Sequence, residues 1–307
     1  MIPQFVYSPE YTAIAIAYRN TKLIADLVLP RVPVSKKEFK YIEYPLADSF
    51  TVPDTLFPKK GTPNIVDFGG RDVTSMTIDY GLDDPISNDD IANAPEGSNL
   101  EGKGVEYVTD LVALAREVRA AALLFNANSY ASSKTLALTG TDRFDDYENS
   151  DPLAVLVEAL DTPLMRPNTM TIGRKAFSKL AMHPKVVKAA NGNAGDSGIA
   201  TKLRIAEILE LDNIFVGEGW LNTAKKGQTA VMQRVWGNDI SLTYLNSLAD
   251  TQRGVTFGFT AQYGTKQAGA NPVALGINGS MLVRSAESVK ELIVAKDVGF
   301  LLTDVIS

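Results

Sequence analysis

The chain has 307 residues, 45% hydrophobic and 21% charged, enough to bury a sizeable core in one large domain or two joined ones. Its formal net charge is −6 and no basic block stands out, which argues against tight, direct binding to duplex phosphate. Cysteine is absent and histidine occurs once, at His183, so disulfides, thiolate or histidine-rich metal sites and cysteine nucleophiles are excluded.

Residues 1–34 open with turn and helix pieces. Apolar residues Ile14, Ile16, Leu23, Ile24, Leu27 and Val28 recur at mixed spacing, and Pro30 and Pro33 then force extended chain. The apolar run from Tyr11 to Tyr18 is too short for a membrane span, and Met1 to Glu10 lacks the basic residues of a secretory signal. The expectation is a soluble chain, made and used in cytoplasm. Lys36 to Tyr44 reads as a strand carrying Phe39 and Tyr41. Val73 to Tyr80 reads as a second, with Thr74, Met76, Ile78 and Tyr80 on one face. Between them, Phe50 to Arg71 is rich in proline and glycine, with Lys59 and Lys60 in its middle. An aperiodic excursion of roughly 20 residues is unusual inside a compact domain. Either it is disordered or it is an extended arm ordered by a partner, and two strands leading out and back favour the arm, a long two-stranded loop.

Residues 83–104 are polar and read as irregular. Gly104 to Asn128 is predicted to be one long helix. One row carries Val105, Val108, Val112, Ala115, Arg119, Ala122 and Phe125, and Leu111, Leu114, Val118, Ala121 and Leu124 form the adjoining row. Such a helix spans about 36 Å at 1.5 Å per residue. Leu136 to Asp151 reads as a polar loop. Ser150 or Asp151 can cap a helix that begins at Pro152 and runs to Leu160. Met170 to Gly173 is a buried strand, Arg174 to Met182 a helix, and Asn191 to Gly198 a flexible loop. Thr201 to Leu211 is a helix followed by the strand Asn213 to Gly217. Val231 to Trp236, Ile240 to Tyr244 and Val255 to Tyr263 are further strands. Val289 to Lys296 and Gly299 to Ile306, so close in sequence, predict a hairpin or a bent edge strand. The sum is an α+β fold with no fixed-period repeat and no clean linker.

Several segments suggest chemistry without completing it. Gly195-Asp-Ser-Gly198 resembles the nucleophile segment of trypsin-like proteases, but Ile199 stands where that family has glycine. The only histidine base for Ser197 is His183, too near in sequence for a two-barrel enzyme. His183 precedes Pro184 and reads as a loop or helix-end residue. The Gly192 to Gly198 cluster lacks the Gly-Lys-Ser/Thr of a phosphate loop. The acids at Asp83-Asp84, Asp89-Asp90 and Asp142 to Asp151 lack the alternating ligands and turn glycine of a calcium loop. Trp220 and Trp236 read as core or interface aromatics. No catalytic, cofactor-binding or metal-binding residue is assigned, and no cofactor.

Four segments carry a resemblance over essentially the whole chain: Tyr18 to Val34, Met170 to Pro184, Ile205 to Gly217, and Val235-Trp236-Gly237. In that order, with the arm ahead of the long helix, they resemble the major capsid proteins of tailed bacteriophages, which have the Hong Kong 97 fold. The resemblance implies an N-terminal arm (1–34) and an extended loop (35–82) lying over a neighbouring subunit. It also implies a peripheral domain (83–149 and 286–307, spine helix about 104–129) and an axial domain (150–285) whose loops meet around fivefold and sixfold positions. The implied function is a coat subunit, not an enzyme, that self-assembles into pentamers and hexamers of an icosahedral head. That head encloses double-stranded DNA without sequence-specific binding and without a membrane. A separate scaffolding protein and a portal are expected partners, a decoration protein a further one. The place is the virion, assembled in the host cytoplasm. Some relatives cross-link a loop lysine to an asparagine with the help of a glutamate. Lys59 or Lys60 lies in that loop, but the other two residues find no match, so no cross-link is predicted.

Two alternatives stand beside this reading. An encapsulin-type compartment shell shares the fold and differs in enclosing enzyme cargo instead of a genome. A monomeric serine hydrolase using Ser197 and His183 would be a small monomer whose activity is lost in Ser197→Ala.

Overall fold

The structure is a computed structural model that describes residues 5–18, 20–43, 52, 55, 56, 61, 71–192, 195, 197–225 and 227–307. In chain order, α1 (Pro9–Ala17) and the single turn α2 (Ala25–Val28) lead into β1 (Arg31–Val34). Then come β2 (Glu38–Glu43), β3 (Arg71–Met76), β4 (Ile78–Ser87), α3 (Asn88–Ala92) and the spine helix α4 (Leu100–Leu124). The middle holds β5 (Thr135–Ala137), α5 (Pro152–Asp161), β6 (Thr169–Gly173), α6 (Arg174–Met182), α7 (Pro184–Asn191) and α8 (Lys202–Leu209). The chain continues through β7 (Asn213–Gly217), β8 (Trp220–Asn222), β9 (Met232–Arg234) and β10 (Ile240–Thr243). It ends with the long strands β11 (Gly258–Val273) and β12 (Ser280–Ile293) and the short β13 (Gly299–Thr303).

Two sheets organise these elements. The first has the order β1-β11-β12-β4 and carries the spine helix on one face. Val105, Val108, Val112, Ala120 and Leu124 are buried, while Ala115 is exposed, so the buried stripe lies to one side of the row expected from the sequence. The helix spans 25 residues, starting at Leu100 rather than Gly104 because Asn99 caps it, its side chain accepting from Gly102 N at 2.7 Å. It stops at Leu124 because Ser129 Oγ and Tyr130 OH donate to the terminal carbonyls of Leu123 and Leu124, at 2.6 and 2.9 Å.

The second sheet has the order β5-β13-β10-β6-β7, with helices α5 to α8 around it. Every residue of β6 and β10 is buried, as expected for central strands of a covered sheet. Strands β6 and β7 run parallel, joined through α6, α7 and α8. Asp151 caps α5, accepting from Ala154 N at 3.2 Å, with Pro152 in the first turn.

Several sequence expectations need correction. The run Val73 to Tyr80 is not one strand. Thr77 is buried, donates its amide to Lys37 O at 2.9 Å and hands β3 and β4 to different sheets. The segment read as irregular from residue 83 continues as β4 to Ser87, then turns into α3. Pro85 fits because β4 is an edge strand. Asp83 fits because Arg284 on β12 grips it with two 2.6 Å bonds. Part of the loop expected after Leu136 is β5, paired with β13.

The last two strand runs form no hairpin: β12 pairs with β11 and β4, whereas β13 pairs with β10 and β5. A division at residue 285 therefore falls inside β12. Strands β11 and β12 go with the spine helix, and β13 goes with the middle region. The cause is visible in β12, whose helix-facing positions include Ser285 and Glu287, buried polar residues that hide the apolar alternation.

The ribbon β2-β3 is paired from Glu38↔Met76 to Glu43↔Arg71. Phe39 and Tyr41 anchor its base in a cluster with Val32 and Phe259, Tyr41 meeting Phe259 edge-on at 6.4 Å. The remainder of the expected arm, with Lys59 and Lys60, lies outside the described residues apart from Val52, Thr55, Leu56 and Gly61.

Candidate assembly surfaces and the arm-docking seam

The densest polar chemistry lies where residues 24–31 cross the spine helix. Buried Glu117 accepts from Ile24 N at 2.9 and 3.0 Å, Ala25 N at 2.7 Å and Trp236 Nε1 at 2.5 Å. Burial pushes its carboxyl above the ordinary value, while the bonds from Ile24, Trp236 and Ala25 pull it back. Arg116 immediately precedes it on the spine helix. That guanidinium is buried, bonds to Asp26, and donates to Thr260 Oγ1 at 2.9 Å and Leu29 O at 3.3 Å. Arg31 bridges Asp26 at 2.6 Å and Glu287 at 2.8 Å. Arg119 pairs with Glu291 at 2.9 Å and stacks 3.7 Å from the centre of the Tyr80 ring. Burial alone would raise Asp26, but the neighbouring Arg116 and Arg31 outweigh it and hold its carboxyl at about 2. Half-buried Lys266 completes the cluster; burial, then Arg31, push its ammonium below the ordinary value. Carboxylates Asp26, Glu117, Glu287 and Glu291 are thus balanced by cations Arg31, Arg116, Arg119 and Lys266.

The preceding residues dock along β11. Strand β1 pairs only with Thr260 to Tyr263, which leaves the next stretch of that edge free. Ser8 N donates to Ala268 O at 3.0 Å, and Asn271 Nδ2 to Val6 O at 3.2 Å. Gly269 makes this possible, because a Cβ there would lie 2.5 Å from Val6 O. The Phe5 ring sits 4.3 Å from the Arg284 guanidinium carbon.

Val235-Trp236-Gly237 joins the two sheets. Trp236 is buried edge-on to Phe125 at 5.4 Å and reaches Glu117. Its slot exists because β6 and β7 both end in glycine. A Cβ on Gly217 would lie 2.1 Å from the indole, and one on Gly173 would lie 1.9 Å from Gly237 O.

The residues that suggested catalysis are engaged otherwise. His183 is fully buried between α6 and α7. Its Nδ1 accepts from Lys185 N at 3.2 Å, capping α7, and Nε2 lies 3.0 Å from Ser150 Oγ. Ser150 Oγ donates to Asp146 O at 2.6 Å, so the histidine Nε2–H is the donor to Ser150 and the ring is neutral. Burial, then Lys185, push its pKa down. Ser197 is exposed, and His183 has no free nitrogen to serve it as base. Asp89 takes Asn278 Nδ2 at 2.7 Å, and Asp151 caps α5. Among the described residues, no group of three or more His, Asp or Glu side chains is placed to hold a metal. No described helix is long and apolar enough to cross a membrane.

Apolar side chains remain exposed at several separate places. They include Leu275 and Ile277 between β11 and β12, Val231 and Met232 at β9, Ile199 and Leu203 at the start of α8, and Leu248. Distributed patches of this kind fit a subunit that meets several neighbours.

Sequence reasoning missed the arm-docking seam. The available signal was a pair of charges, Arg116 and Glu117, inside an otherwise apolar helix. Their partners lie 87 to 144 residues away in sequence, beyond the reach of local pattern.

No family model matches the sequence. A major capsid protein of Pseudomonas phage JBD67 is 48% identical over 305 residues, covering 99% of this chain and 98% of that one. A phage-related protein from Bordetella bronchiseptica RB50 superimposes with a TM-score of 0.77 at 22% identity, covering 99% of both chains. The capsid of cyanophage P-SCSP1u gives 0.59 at 10% identity, covering 98% of this chain and 90% of that one. The structural likenesses show a capsid fold of the Hong Kong 97 type. The sequence identity carries further: the chain belongs to the major capsid proteins of bacteriophages.

Proposed function

We propose that this chain forms pentamers and hexamers of an icosahedral phage head around packaged double-stranded DNA. The observation that carries this reading is the 48% identity to a phage major capsid protein across nearly the full length of both chains. Such identity to a phage coat protein favours a genome-enclosing head over an encapsulin compartment.

The sheet bearing the spine helix serves as the peripheral domain. The five-stranded sheet with α5 to α8 serves as the axial domain, and the β2-β3 ribbon is the base of a loop lying over a neighbouring subunit. A thin shell requires each subunit to bury surface against many copies. The dispersed exposed apolar residues support that. The net charge of −6 suits a wall that encloses DNA without gripping it. The subunit performs no catalysis, consistent with His183 serving as a helix cap. A separate scaffolding protein and a portal act with it during assembly in the host cytoplasm, a decoration protein is a further partner, and the virion is its destination.

Electron microscopy of the protein co-expressed with the scaffolding protein of its phage tests this. Closed shells with fivefold and sixfold capsomers are expected, and particles matured in infection should contain DNA. A chain that stays monomeric under every condition, or shells that enclose an enzyme cargo, would overturn the proposal.

A further inference from the structure

A small, partly open space of about 10 Å³ lies under the spine helix, between Thr109, Val112 and Ala113 on α4 and Lys266, Ser285 and Glu287 on the sheet. That volume suits about one water molecule. Its walls are mostly apolar, but Thr109, Lys266, Ser285 and Glu287 also line it. Glu287 is only 4% exposed; its Oε2 takes Arg31 at 2.8 Å, but Oε1 is buried with no hydrogen-bond partner. Ser285 Oγ accepts from Thr109 Oγ1 at 2.9 Å, leaving its own hydrogen free to donate. The Lys266 ammonium, on the β11 stretch where the register with β12 shifts, makes no hydrogen bond or ion pair among the described residues.

A buried carboxylate oxygen without a donor is rare in folded proteins and is the usual mark of a bound water. We infer that one ordered water molecule occupies this space, donating to Glu287 Oε1 and accepting from the Lys266 ammonium and the Ser285 hydroxyl. Two acceptor positions and one donor are thereby used, within the usual two to four bonds of an internal water. A metal cation fits less well, because Lys266 and Arg31 already supply positive charge beside the same carboxylate. The water links the Lys266 ammonium by hydrogen bonds to the carboxylate that anchors Arg31. It thus extends the seam holding residues 24–31 to the shifted stretch of β11.

The test is a map of the assembled protein at a resolution that shows ordered water. The expected result is a single peak within about 3.2 Å of both Glu287 Oε1 and Lys266 Nζ. Lys266→Met keeps the apolar stem and removes the donor, so the peak should weaken or vanish in that variant. The wild-type map decides even if the variant fails to assemble. An empty space with Lys266 in direct contact with Glu287 would overturn the inference. A peak that gains anomalous signal on soaking with rubidium would overturn it too, by showing a cation. An unchanged peak in Lys266→Met would overturn it as well, because the Lys266 donor would then play no part in holding the water.

Discussion

Glu117 is the most exacting point at which to test the arm-docking seam. Its Oε2 accepts Ala25 N at 2.7 Å, its Oε1 accepts Trp236 Nε1 at 2.5 Å, and Ile24 N is shared between the two oxygens. Glu117→Gln replaces one acceptor with a donor. If the new amide nitrogen takes the place of Oε1, the indole N–H is stranded; if it takes the place of Oε2, the Ala25 N–H is stranded. Either way one buried donor loses its partner, a cost of about 1–3 kcal/mol. Glu117→Ala strands every donor and opens a void beside Trp236, so a loss of about 3–5 kcal/mol is expected. Urea unfolding of the unassembled subunit, followed through tryptophan emission, measures both. Hydrogen exchange should show the Ile24 and Ala25 amides opening faster in each variant. If Glu117→Ala falls within about 0.5 kcal/mol of wild type, the range of an unremarkable surface change, the carboxylate does not hold the arm and the seam has been misread.

Gly173→Ala puts a Cβ 1.9 Å from Gly237 O and should abolish soluble assembly, whereas Gly237→Ala, with nothing within 4 Å of its Cβ, should assemble normally; electron microscopy of both compares them directly. His183 has a lowered pKa, so its contribution is complete above its ordinary value of about 6.5 and is lost as pH falls below it. Urea midpoints between pH 8 and 5 should therefore fall more steeply in wild type than in His183→Ala, which should already be about 1 kcal/mol weaker at pH 8 through loss of the α7 cap. Asp26, held at about 2, contributes stability above its unfolded value of about 3.9 that is lost as pH falls through 2, so Asp26→Asn should flatten the acid limb of the unfolding curve. Gly269→Ala should dislodge the segment before Ser8 and speed its proteolysis, leaving the remainder of the chain protected.

The elements legible in the sequence were those whose burial follows a simple period. Strand β6, helix α6 and strand β7 appear where short apolar runs and a flanking proline or glycine placed them. Strand β12 is legible only in its second half, because Ser285 and Glu287 occupy its buried positions and bond to Thr109 and Arg31, which no local pattern announces. Strand β4 was hidden by Asp83, Asp84 and Pro85, residues that an edge strand tolerates when a partner such as Arg284 answers the charge. The division between the sheets failed for the same reason. The last strand runs are adjacent in sequence, yet which sheet each joins is decided by pairing with β4, β5 and β10, far away along the chain.

Why the arm docks through charges, when an apolar seam would hold as firmly, follows from what a coat subunit must avoid. In the proposed shell, the exposed apolar side chains at β9, at the start of α8 and between β11 and β12 are the surfaces available to other copies. An apolar groove for residues 24–31 would accept any of them during assembly, since burial of apolar area carries little direction. The Asp26–Arg116, Arg31–Glu287 and Glu117–amide contacts do carry direction, because each demands one partner at one distance and a slip of the arm strands buried charge. The apolar residues Val28 and Leu29 still bury beside them, so area supplies the attraction and the ionic set fixes the register. That division of labour lets the subunit close its own arm while its exposed apolar patches stay uncovered.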